Sequence, residues 1–259
     1  MVPASTTSPS AAARLPKATS VLAANLATYS DTTAAANAVY QYQVEALDLV
    51  GHVATVVPVE QNFYTQPDVR THIDVLLTQE HRPLGRTHAW FGDVAVDDAV
   101  VGYKMLEFHN HQNLGYEGLH EPLKLHLETE AVWLTVPEPV LAVLGREKAD
   151  APAGMVHALH AIARLRTMAE RSDLQASSFH HVDDETGRTV TSLICYDSHP
   201  GGLGYAAKAY DLLDEIHAQA IGLVEQCRCQ RGCPACVGDY VRDKRLNAWA
   251  LRACREDVQ

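Results

Sequence analysis

Residues 227–239 read CRCQRGCPACVGD and set four thiols within ten positions: Cys227, Cys229, Cys233 and Cys236. Thiols at that density serve a metal centre, a redox pair or a disulfide framework. The order Cys-x-Cys, three residues, Cys-x-x-Cys lets four thiolates converge at about 2.3 Å on one tetrahedral Zn²⁺, with Gly232 and Pro234 shaping the turn between the pairs. Cys-Pro-Ala-Cys alone has the letters of a thioredoxin-type pair. That motif opens a helix after a strand, whereas here a helix is expected to precede it and a second pair lies alongside. A chain of 259 residues needs no disulfide staple to hold its core. The expected cofactor is therefore structural Zn²⁺, with no open coordination position and no water to activate. Cys195 and Cys254 are expected to be buried thiols.

Other stretches carry catalytic letters without catalytic context. Asp214 to His217 spell DEIH, as in a helicase acidic box, but fall inside an amphipathic helical pattern with Leu212, Leu213, Ile216 and Ala220. No G-x-x-x-x-G-K-[ST] occurs, so the phosphate cradle for ATP chemistry is missing from this sequence and the chain is not expected to be an enzyme on its own. His109-Asn110-His111 reads as a polar loop. His157 and His160 on one helix, and His180, His181, Asp183 and Asp184 in an expected polar loop, form a weaker candidate for a second metal. The Gly-rich stretch DSHPGGLG is a tight turn requiring positive φ. Its alternative is a phosphate-contacting turn built on Gly201, Gly202 and Gly204.

The formal net charge of −11 argues against a surface that binds nucleic acid throughout. The charge is uneven. Between Cys227 and Arg255 seven basic residues stand against Asp239 and Asp243, a formal +5 that four thiolates and one Zn²⁺ bring to about +3. Arg228, Arg231, Arg242, Lys244 and Arg245 are the candidate nucleic-acid contacts. No run of eighteen apolar residues occurs and the first thirty lack a secretory pattern, so the expected location is cytoplasmic, with no membrane partner.

The elements that position these groups fall into three stretches. Residues 1–36 are Ala, Ser and Thr rich and are expected to include a disordered leader. Residues 37–138 form a β-rich module of roughly six short antiparallel strands, with YQVEALDLV and HVATVVPVE meeting in a hairpin at Gly51. Residues 139–259 turn helical: Met155, Leu159, Ile162, Leu165 and Met168 share one helix face. A short strand TVTSLICYD follows, then the Gly-rich turn, a helix from about Tyr205 to Gln226, and a closing helix over RLNAWALRAC. The fold class expected is α+β, an antiparallel β-rich module followed by a mainly helical zinc-binding domain.

The run from Tyr196 to Asp239, YDSHPGGLGYAAKAYDLLDEIHAQAIGLVEQCRCQRGCPACVGD, resembles the zinc-binding C-terminal domain of superfamily 2 DEAD/DEAH-box helicases of the mitomycin repair factor A type. That family's pattern is met at Tyr196, Asp197, Pro200, Gly201, Gly202, Gly204 and the four cysteines. VEALDLVGHVATVVPVEQNFYTQP, FGDVAVDDAVVGYKM and LETEAVWLTVP resemble the β-rich segment before that domain, and HALHAIARL its first helix, so the resemblance covers about residues 39–250. It implies Zn²⁺ on Cys227, Cys229, Cys233 and Cys236, while the family's ATPase motifs match nothing here.

The resemblance thus implies a zinc-binding accessory region of a DNA-repair type helicase, either part of a longer chain or encoded apart from its motor. Its expected partners are helicase motor domains in cis or in trans and DNA, single-stranded or forked. The competing expectation is a zinc-stabilised protein-interaction subunit of a repair or phage-defence complex that touches no nucleic acid. A thiol redox protein or a nuclease using the His-rich loops is the third.

Overall fold

Strands run much further along this chain than the short ones its turn residues suggest. The computed structural model describes residues 11–14, 41–48, 51, 53–144, 151–182, 187–238 and 243–256. The strands are β1 (Ala11–Arg14), β2 (Tyr42–Asp48), β3 (Val53–Pro58), β4 (Phe63–Leu84), β5 (Thr87–Glu107), β6 (Asn113–Val136), β7 (Leu174–Val182) and β8 (Thr189–Asp197). The helices are α1 (Glu138–Leu144), α2 (Ala151–Thr167), α3 (Tyr205–Asp211), α4 (Leu213–Gln226) and α5 (Lys244–Arg255).

Three of the strands are 22, 21 and 24 residues long, where short ones were expected. Residues that read as breaks are accommodated inside them. Pro67 lies in β4, at the edge of its sheet, the position in a sheet that tolerates a residue without an N–H. Gly92 lies in β5 where a Cβ would press on the Leu77 backbone, so it marks a close approach of two strands and not a turn.

Two compact units arise, residues 1–71 with 98–125, and residues 72–97 with 126–259, and β4, β5 and β6 contribute to both. The expected boundary at 138/139 is therefore not where the units divide. The leader expected over residues 1–36 lies outside the described residues apart from β1, which pairs with β3.

In the first unit, β1, β3 and β2 form an antiparallel sheet in that order. β2 and β3 make the expected hairpin, with the Gly51 N–H on the Asp48 carboxylate at 2.9 Å. The stretch His109–His111 forms the polar turn between β5 and β6, closed by Glu107 N–H donating to Gln112 O at 2.9 Å. There the His111 ring meets the Tyr64 hydroxyl at 3.0 Å.

The second unit is built on the sheet ordered β4-β5-β6-β8-β7. β8 lies between β6 and β7, antiparallel to both, and its residues from Thr191 to Asp197 are all buried. Period-two alternation sorts them. Leu193 and Cys195 pack with Val132, Leu134 and the helices, while Ile194 and Tyr196 pack with Trp133, Phe179, Val94 and Ile73 on the opposite face. Residues 139–259 thus supply two strands to the sheet as well as helices, which corrects the expectation of a mainly helical domain. β7 also corrects the reading of His180 and His181 as a loop, because pairing with β8 overrides their polarity on an edge strand. Asp183 and Asp184 lie outside the described residues. The helix expected over 205–226 is divided at Leu212 into α3 and α4. Among the described residues no helix is long and apolar enough to cross a membrane.

Candidate metal centre

Helix α4 buries Leu213, Ile216, His217, Ala220, Ile221 and Val224 on one face and delivers the chain to Cys227, whose extended φ of −63° and ψ of 130° end the helix. The next ten residues fold back on themselves. The Cys233 carbonyl accepts from the N–H groups of Cys236, Val237 and Gly238 at 3.0, 3.3 and 3.0 Å. The left-handed residue closing this turn is Gly238, at φ 74°. Cys236 and Val237 are fully buried in the helix-side core, and Cys227, Cys229 and Cys233 pack at its margin.

All four sulfurs lie within 4.8 Å of one another. The 227–229, 227–233, 229–236 and 233–236 Sγ separations are 3.6, 3.6, 3.5 and 3.6 Å. Sulfurs about 2.3 Å from a tetrahedral zinc stand about 3.8 Å apart, so the four fit one ion with a small expansion. The same spacing is too long for any disulfide, where sulfurs sit about 2.05 Å apart. The site suits structural zinc: the four cysteines would hold the ion, which would lock the loop and, with no vacant position, activate nothing. Without a metal the thiols cannot all ionise together. The backbone N–H of Cys229, then the neighbouring thiols, draws Cys227 down to about 7, whereas burial pushes Cys236 up to about 12. A divalent cation reverses that penalty by stabilising every thiolate.

Two side chains from other helices grip the loop. His157 of α2 donates from Nε2 to Pro234 O at 2.7 Å, and the Lys244 ammonium of α5 donates to Cys227 O. His160 donates to Leu174 O at 2.8 Å. His157 and His160 thus have structural acceptors, and among the described residues only the four cysteines gather as a metal-ligand cluster.

The candidate nucleic-acid contacts divide. Arg228, Arg231 and Arg245 are exposed, the last in a two-pronged ion pair with Asp243 at 3.0 and 3.1 Å. Lys244 is buried and turned inward. Arg242 lies outside the described residues.

The glycine turn has the expected backbone and a different occupant. Gly201, Gly202 and Gly204 all have positive φ, at 75°, 79° and 84°. Gly201 N–H donates to Glu128 O and Gly202 N–H to His199 O. The fully buried Asp197 carboxylate takes the N–H groups of Leu203, Tyr205 and Ala206 at 2.5, 3.2 and 2.9 Å. Glu130 lies against Gly202, its carboxyl pushed upward by burial and by the negative charges of Asp197 and Asp93. The Gly201 and Gly202 amides are thus taken up within the chain and the surroundings of the turn are acidic, which weighs against the phosphate contact expected there. Asp197, Lys244 and His157 stood out in the sequence, but not for the contacts they make, and Gly238 did not stand out at all. For Asp197 the available signal was an acidic residue just before a turn that opens a helix.

Residues 155–237 match the family model described as the MrfA Zn-binding domain. The chain is 28% identical over 204 residues to the uncharacterized ATP-dependent helicase YprA of Bacillus subtilis, covering 78% of this chain and 26% of that protein. It is 26% identical over 223 residues to the ATP-dependent helicase hrq1 of Schizosaccharomyces pombe, covering 79% and 21%. Among solved structures, the DUF1998 helicase MrfA bound to DNA matches with a TM-score of 0.57 at 26% identity, over 83% of this chain and 28% of that one. The chain thus spans between about a fifth and a quarter of the curated relatives it matches.

Proposed function

We propose, from this chain's correspondence to the C-terminal zinc-binding region of MrfA-type helicases, that it is the accessory region of a DNA-repair type helicase in which zinc fixes a basic knuckle against DNA. The observation that carries the reading is the exposure of Arg228 and Arg231 inside the four-cysteine loop, with exposed Arg245 on the adjoining helix, in a chain whose net charge is −11. Zinc confines the loop to one conformation, so its arginines meet a phosphate backbone already ordered. Arg228 and Arg231 each offer a fork that matches phosphate oxygens, and Arg245 exchanges Asp243 for phosphate at little cost, since an exposed ion pair contributes at most about 1 kcal/mol. The ATP-driven motor that this region serves is supplied in cis or in trans.

The test measures bound metal and single-stranded DNA affinity on one sample at several salt concentrations. One zinc per chain is expected, with log affinity falling against log salt at a slope of about −2, as three phosphate contacts require, and about −0.7 for the Arg228→Glu, Arg231→Glu variant. Zinc without DNA affinity transfers the role to docking on a separate motor, the competing subunit reading.

A further inference from the structure

Lys244 sits where a cation has no ordinary reason to be. It is the first residue of α5, whose first turn contains no acidic side chain, so its charge faces the positive end of the helix dipole. It is also buried, at 9% exposure. Its ammonium donates to the Cys227 carbonyl, and among the described residues no carboxylate pairs with it. A buried ammonium with only a neutral acceptor is costly unless a negative charge lies close by. The Lys244 backbone N–H meanwhile donates to Arg231 O at 2.7 Å, so the residue grips the cysteine loop at two points on either side of Cys229.

Four thiolates around one Zn²⁺ carry a net charge of −2, at the edge of an apolar core that screens it poorly. We propose that Lys244 is the counter-cation of the metal centre, its charge and the N-terminal end of α5 together neutralising the zinc tetrathiolate. The inference goes beyond the DNA reading and removes Lys244 from the candidate DNA contacts. Lys244 is a positioning residue that acts on the zinc through Cys227.

Zinc transfer from the metal-loaded chain to a chromophoric chelator tests this in three variants. Lys244→Met removes charge and donor, Lys244→Gln keeps a donor without the charge, and Lys244→Arg keeps the charge. Loss of an outer-shell partner costs about 10–100-fold in metal affinity, so Met and Gln are both expected to give up zinc at least about tenfold more readily than the parent, and Arg to stay near it. Parent-like zinc retention in Lys244→Gln overturns the proposal, because a hydrogen bond alone then suffices. Where Met fails to fold, Gln and Arg decide: folding of Arg alone supports the charge, and failure of both shows that position 244 supplies shape and sinks the idea.

Discussion

The paired helices α3 and α4 begin at one turn and end at another, and the two turns treat converging polar groups in opposite ways. At the start, DSHPGGLG gathers the Leu203, Tyr205 and Ala206 amides around Asp197, a carboxylate of the chain itself. At the end, four cysteine sulfurs converge within 4.8 Å of one another, all of them donors of the same kind. The first arrangement is complete as folded, whereas the second concentrates like ligands that a metal alone reconciles. Convergence by itself does not make a site: what matters is whether the chain supplies both halves of the interaction.

That contrast predicts its largest effect at the cysteines. Structural zinc contributes on the order of 10 kcal/mol to the folding of small zinc modules, so stripping the ion, or making Cys233→Ser with Cys236→Ser, should unravel the loop while the sheet persists. Trypsin should then cut rapidly after Arg228 and Arg231. A metal-stripped chain as resistant there as the loaded one would place the loop in the same self-sufficient class as the glycine turn.

The next effect tests the other turn. Asp197→Ala strands three amide donors, one buried and two part-buried, at about 1–3 kcal/mol for each that water does not reach, so a loss of at least about 1–3 kcal/mol is expected in denaturant unfolding. Zinc content should stay at one per chain. The parent should gain no thermal stability from added inorganic phosphate, and a clear gain would show that the amides are open after all.

The metal half of this contrast was legible in the residues, and the self-satisfied half was not. Four cysteines at fixed spacing determine their own geometry, because ligand type and loop length leave few ways to converge. A glycine-rich turn looks the same whether its amides face a ligand or a side chain, and only the pairing of β8 between β6 and β7 puts Asp197 beneath it. The basic run near the C-terminus failed for a related reason. Composition counts Lys244 with Arg245, yet the helix turns one inward and the other out. The long strands were hidden by Pro67 and Gly92, which break isolated strands but are harmless at an edge or at a close crossing of backbones. The helices were easier to read, since a stripe of apolar residues at three and four is a local property.

The smallest effect concerns α4, the rod between the two turns. Its His217 is almost fully buried and donates from Nε2 to Leu251 O of α5 at 2.9 Å. Burial draws its pKa from 6.5 down to about 4. The folded state therefore holds this imidazole neutral while the unfolded chain protonates it near pH 6.5. Stability from this group is fully present above that pH and drains away as pH falls toward about 4, by up to about 1.4 kcal/mol per pH unit. Unfolding of the zinc-loaded chain at pH 7, 6 and 5 should show that slope, and His217→Gln, which keeps a donor and cannot titrate, should flatten it by one proton. Proton uptake by the thiolates is common to both chains and cancels in the difference. Equal slopes would mean that the packing of α4 on α5 opens before the imidazole is protonated, and that the rod is the weaker link between a turn that completes itself and a turn that zinc completes.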